Sequence, residues 1–149
     1  MKKKDENLSI EFQLAGINTE QFAILEEIYQ PESEVNINVS LQFSVHPQKK
    51  GIGVHFGIQF KHGKEVFLLL KTACFFEVKS DNWIVLLNDK KKAIILPKDF
   101  ASHLSVITVG TTRGILYEKL KEEPSFDQFI LPTINVSRIV EEDVVLEIK

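Results

Sequence analysis

The chain has 149 residues, 44% hydrophobic and 26% charged, with a formal net charge of -3 at pH 7. That length suits one domain with one core, in which about two thirds of the unfolded chain's surface is buried. The composition excludes a disordered segment and a basic protein that coats nucleic acid.

Eleven Phe stand against two Tyr and one Trp, which supplies apolar area with few polar handles. Cys74 is the single cysteine and lies in the apolar run 66–76. No internal disulfide can form, and a buried thiol in a reducing compartment is expected. Acidic Asp5 and Glu6 follow Lys2-Lys3-Lys4 where a signal peptide would be apolar, and no run is long enough to span a bilayer. A soluble, cytoplasmic protein without membrane insertion is therefore expected.

Alternation over 8–17 (Leu8, Ile10, Phe12, Leu14) predicts a first strand ending near Gly16. The stretch 18–29, with Phe22, Ala23, Leu25, Ile28 and Tyr29, has helix-like spacing closed by Pro31, and reads as a helix or an irregular apolar crossover. The clearest pattern is 35–45, where Val35, Ile37, Val39, Leu41, Phe43 and Val45 share one face and Asn36, Asn38, Ser40, Gln42 and Ser44 the other. On this pattern Phe43→Asp should prevent folding and Ser44→Asp should be tolerated. After a turn at 47–51, Ile52, Val54, Phe56, Ile58 and Phe60 repeat the alternation, and beyond His62-Gly63-Lys64 a fourth strand over 65–79 is apolar on both faces. Long strands with short turns predict an antiparallel meander.

The state of 83–87 is left open; a basic loop (Asp89 to Lys92) and Ala93-Ile94-Ile95-Leu96 follow. Pro97 and Asp99 then suit a helix start, and Phe100, Leu104, Ile107, Thr111 and Ile115 lie near helical spacing up to Leu120. β-Branched residues, Gly110 and Gly114 make this a poor helix in isolation, so tertiary packing must stabilise it. The end, 137–149, is short, charged and partly β-branched; with neither repeat nor linker, 1–149 reads as one domain.

No catalytic or metal site emerges. His46, His55, His62 and His103 and the lone cysteine lack metal-ligand spacing, although His46, His55 and His62 sit on neighbouring strands. Asp99, His103 and Ser105 have triad residue types, but on one helix Ser105 points away from the other two. Gly51-Ile52-Gly53 lacks the context of a phosphate loop, and the short lysine runs have acidic neighbours. The protein is expected to be no enzyme and to need no cofactor or metal.

Several short segments in consistent order resemble the SecB family of export chaperones: Tyr29-Gln30-Pro31-Glu32 before the second strand, Leu96-Pro97 opening the helix, Arg113-Gly114 near its end, and Leu131-Pro132-Thr133-Ile134-Asn135. The resemblance implies an α+β, SecB-like fold: a four-stranded antiparallel sheet with one long helix and short C-terminal elements packed on one face. It also implies a homo-oligomer, dimer or tetramer, acting as an ATP-independent holding chaperone whose apolar grooves bind unfolded or non-native polypeptides. By the same resemblance Phe22, Leu25, Ile28 and Tyr29 in the crossover, and Leu116, Leu120, Phe126 and Phe129 after the long helix, are the peptide-binding candidates. The family docks on its translocation motor through an acidic outer sheet, whereas the wet faces here are neutral and the acidic helical tail is replaced. Motor docking is therefore doubtful, and dedicated clients such as a toxin-antitoxin pair stand beside protein export. The alternative is an adaptor or assembly protein of the same fold with one specific folded partner.

Overall fold

A computed structural model describes residues 9–148. The lysine run at 2–4, Leu8 and Lys149 lie outside them.

Four strands, β1 (Phe12–Ile24), β2 (Asn36–His46), β3 (Gly51–His62) and β4 (Glu65–Val78), form one antiparallel sheet in the order β1-β4-β3-β2. The alternating segments at 35–45 and 52–60 become β2 and β3 with the expected facing, and the expected fourth strand becomes β4: Ile37, Val39, Leu41, Phe43 and Val45 pair with Phe60, Ile58, Phe56, Val54 and Ile52, and opposed residues of an antiparallel pair share a face. A short 3-10 turn at Pro47–Lys49 joins β2 to β3, and Gly63 at φ 62 turns β3 into β4, in the left-handed region where a Cβ is disfavoured.

The expected end of β1 near Gly16 is replaced by a strand that runs to Ile24 and pairs with β4 throughout. Two register shifts, between Leu14 and Gly16 and between Thr19 and Gln21, leave Ala15 and Glu20 outside the ladder. Each such bulge inserts one residue and resets the alternation. The residues of β1 on the core side, Phe12, Leu14, Ile17, Thr19, Phe22 and Ile24, are thereby spaced by alternating steps of two and three, and the period-two signal is lost. Only the segment from Leu25 to β2 is an irregular crossover, begun by a hydrogen bond from the Leu25 N–H to the Phe67 carbonyl at 2.8 Å.

Helix α1 (Ser80–Leu86) occupies the stretch left open by the sequence. Its Asn82 side chain receives the Glu11 N–H at 2.9 Å and donates to the Ser9 carbonyl at 3.2 Å, fixing the start of β1. Beside it, Lys79 Nζ lies 3.1 Å from the Glu11 carboxylate. That hydrogen bond, then the charge of Glu11 and that of Asp81, hold the ammonium above its ordinary range.

The long helix α2 (Lys98–Leu120) packs on β3 and β4. Phe100 and Leu104 point into the core as expected, but Ile107, Thr111 and Ile115 are only half-buried. The helix turns instead to bury Ala101, Ser105, Thr108, Thr112, Leu116 and Leu120. Ser105, Thr108 and Thr112 donate to the carbonyls of Ala101, Leu104 and Thr108 at 2.8, 2.9 and 2.8 Å. With their hydroxyls satisfied inside the helix, these side chains pack as small apolar groups. The core they cover contains Ile52, Val54, Phe56, Leu68, Cys74 and Phe76, each at 0% exposure.

The chain end forms an element that the sequence did not announce. β7 (Val144–Glu147) pairs with β6 (Ala93–Leu96), which also pairs with β5 (Leu87–Asn88), giving a small second sheet in the order β5-β6-β7. The fold is thus α+β, with a four-stranded sheet, a smaller sheet, one long helix and short C-terminal elements. Among the described residues no helix is long and apolar enough to cross a membrane.

Candidate functional site

Two apolar regions meet around the crossover and the helix. In the first, the crossover lies against the segment that follows α2. Tyr29 stands at ring distances of 4.9 Å from Phe67, 4.8 Å from Phe126 and 5.8 Å from Phe129, and Phe129 lies 5.2 Å from Phe60. These are favourable aromatic separations. His62 fixes the crossover from below: its Nε2 accepts the Gln30 N–H at 3.0 Å, and its Nδ1 donates to the Glu34 carbonyl at 2.9 Å. A backbone N–H only donates and a carbonyl only accepts, so this pair of partners selects the neutral imidazole protonated at Nδ1.

The eight residues singled out by the resemblance do converge here or beside it, but at two depths. Leu116, Leu120 and Phe126 are at 0%, 1% and 3% exposure and form the floor. They are core residues in this chain and no ligand touches them without a rearrangement. Phe22, Leu25, Ile28, Tyr29 and Phe129 are half-buried and form the accessible rim, with Ile130 exposed beside Phe129. Lys119 Nζ sits 4.9 Å above the Phe22 ring, a cation-π contact that covers one end of the rim.

The second region escaped the sequence reading. A helix is about 10 Å across and strands lie about 4.8 Å apart, so one helix covers about two strands of four. α2 lies over the central pair, and the core-side residues of both edge strands are left partly open: Leu14 and Ile17 on β1 are 44% and 52% exposed, Ile37 and Val39 on β2 43% and 36%. Alternation correctly assigned Ile37 and Val39 to the apolar face, but alternation reports facing and is silent about cover. The usable signal was the ratio of one long helix to four strands. β2 is also a sheet edge across its length, and an unpaired edge presents main-chain donors and acceptors to another extended chain.

Among the described residues no group of three or more His, Cys, Asp and Glu side chains is placed to hold a metal ion. His62 belongs to the aromatic cluster, while His46 and His55 share a serine partner on the opposite side of the sheet. Ser105 is buried and bonded to its own helix, while His103 lies edge-on to Phe12 at 5.7 Å, so α2 carries no triad.

Comparison with family models, with curated proteins and with solved structures found no match to this chain.

Proposed function

We propose that the protein is an ATP-independent holding chaperone of SecB-like type that binds non-native polypeptides along its apolar rim and sheet flanks. One observation carries the reading: the core-side residues Leu14, Ile17, Ile37 and Val39 stay open on the two edge strands, while α2 packs on β3 and β4 between them. Apolar burial is non-directional, and an open strand edge adds hydrogen bonds that ignore side-chain identity. Together they suit clients that share extended, greasy backbone rather than one sequence. The half-buried rim of Phe22, Leu25, Ile28, Tyr29 and Phe129 adds further apolar and aromatic area.

Self-assembly fits the outward side of α2. Gly110 and Gly114 have open space above them, with nothing within 4 Å of an added Cβ, and exposed Val106 and Tyr117 lie on either side of them in the helix. Glycines of this kind lower helix stability in a lone chain and allow close approach of a second helix.

Light scattering of the purified protein, alone and with a reduced, unfolded client, tests the reading. The expected result is an oligomer that gains client mass and suppresses client aggregation without ATP, with both effects weakened by the pair Ile37→Asp and Val39→Asp. No gain of client mass at any ratio would overturn it. The neutral outer face of β2, with Asn36, Asn38, Ser40 and Gln42 exposed, favours a second reading, an adaptor for one folded partner. Pull-down that returns one stoichiometric protein rather than many would select that alternative.

A further inference from the structure

On the sheet face turned away from α2, three strands bring together side chains that the binding reading does not use. His55 of β3 has its Nε2 2.9 Å from Ser44 Oγ on β2, and its Nδ1 lies 3.1 Å from both Glu20 carboxylate oxygens. His46 Nε2 is a further 3.2 Å from the same serine oxygen. Glu20 reaches this position because it is the residue left out of the ladder at the second bulge of β1, and bulges re-aim side chains. Opposite His55 on β4 stands the small Ala73.

Glu20 orients one end of the line. A carboxylate accepts, so His55 carries a proton on Nδ1, and in its neutral form it presents a bare Nε2 to the serine hydroxyl. In that form Ser44 Oγ–H donates to His55 Nε2, and the His46 tautomer protonated on Nε2 donates to Ser44 Oγ. Nucleophile, base and orienting carboxylate thus stand within hydrogen-bond reach in the order that activates a hydroxyl. The floor is shaped for it: a Cβ at Gly53 would overlap Ser44 Oγ and lie 3.1 Å from His55 Nε2. Glycine is therefore the residue at 53 that leaves the line intact.

We propose that Ser44, His55 and Glu20 form an acyl-transfer site for small activated carboxylic esters. Ser44 Oγ attacks the acyl carbon while its proton passes to His55 Nε2, and the ester C–O bond breaks as the leaving oxygen takes that proton. Water then attacks the acyl-serine with His55 as base, which frees the carboxylic acid and restores Ser44. Glu20 is a positioning residue that holds the imidazole tautomer. His46, whose Nε2 lies 3.2 Å from Ser44 Oγ, is the donor assigned to the carbonyl oxygen that develops negative charge. The face is open and glycine-floored, so a short acyl chain with a good leaving group is the class it takes.

The test uses the full chain and p-nitrophenyl acetate. A burst of about one nitrophenol per chain is expected, with an acetyl group mapped to Ser44. Ser40 is the internal control, on the same face of β2 opposite Gly57 and without an imidazole partner. General-base assistance contributes typically about 100-fold or more, and Ser44 should be acylated faster than Ser40 by about that factor. His55→Ala should reduce Ser44 to the Ser40 rate. Glu20→Gln should slow acylation about tenfold and shift its pH profile; the ionisable groups on this face around His55 are Glu20, His46 and, diagonally across the ladder, Lys71. Circular dichroism checks that each variant keeps its strands. Equal acylation of Ser40 and Ser44, or ester hydrolysis undiminished in Ser44→Ala, would overturn the proposal, the latter by assigning turnover to imidazole alone.

Discussion

Arg113 holds Leu131 by its backbone: Nε donates to the Leu131 carbonyl at 3.0 Å, and the terminal nitrogen donates to the Pro132 carbonyl at 2.8 Å. Two segments that the sequence marks separately, Arg113-Gly114 and Leu131-Pro132, thus form one clamp between α2 and the chain that returns across it. Arg113→Ala leaves two carbonyls without these donors and should cost about 1–3 kcal/mol. Arg113→Lys should recover only part, because an ammonium lacks the planar fork. Urea unfolding measures the loss, and amide exchange should quicken around 126–132 before it does in β3.

Thr72 offers the opposite sign. It is at 0% exposure, on the core side of β4 opposite Phe56, and its Oγ1 has no hydrogen-bond partner among the described residues. A buried unsatisfied hydroxyl costs about 1–3 kcal/mol, and valine has nearly the same shape. Thr72→Val should therefore stabilise the protein by about 1 kcal/mol, read as a higher urea midpoint with an unchanged slope. A lower midpoint would mean that the hydroxyl has a partner in solution.

The sheet face predicts graded effects rather than the all-or-none contrast drawn from alternation. Phe43 is half-buried on an edge strand, while its neighbour across the ladder, Val54, and Phe56 are at 0% exposure. A carboxylate at Phe43 reaches solvent by leaning over the edge; one at Phe56 does not. Phe56→Asp should abolish folding, and Phe43→Asp should lower stability by about 2–4 kcal/mol while leaving folded protein. Ser44→Asp, tolerated on alternation alone, puts a carboxylate in place of a hydroxyl that lies 2.9 Å from His55 Nε2 and should disturb the Glu20–His55 pair. Circular dichroism and gel filtration distinguish these outcomes.

α2 has no capping side chain of its own, since Pro97 precedes it and the Lys98 N–H donates to Asp143 Oδ1 at 2.8 Å. Asp143→Ala should cost about 1 kcal/mol and Asp143→Asn much less, as for other helix caps. Faster exchange of the first-turn amides of α2, with the centre of the helix unchanged, is the confirming signature.

The meander was legible because β2, β3 and the turn at Gly63 obey period-two alternation and glycine geometry without interference. β1 was not legible beyond Gly16, since bulges at Ala15 and Glu20 erase the period that identifies a strand. The facing of α2 was misjudged for a chemical reason: Ser105, Thr108 and Thr112 look like surface residues, and only their bonds to the preceding turn make burial inexpensive. At the candidate site the sequence supplied the rim residues Tyr29 and Phe129 through resemblance, and buried Leu116 and Leu120 came with them because both types are apolar. The Ser44–His55–Glu20 line was hidden for the same reason as β1, because Glu20 was placed in a crossover rather than on a strand beside the sheet face.

The cap of α2 also sets an order of events in the cell. Asp143 lies 45 residues beyond Lys98, and β7, which completes β6, follows directly after it. A ribosome adding about 5–20 residues per second spends roughly 2–9 s between them. Through that interval the helix start is unfinished and one side of β6 has no partner, so the nascent chain is itself, briefly, the kind of incomplete polypeptide that the finished protein is proposed to hold.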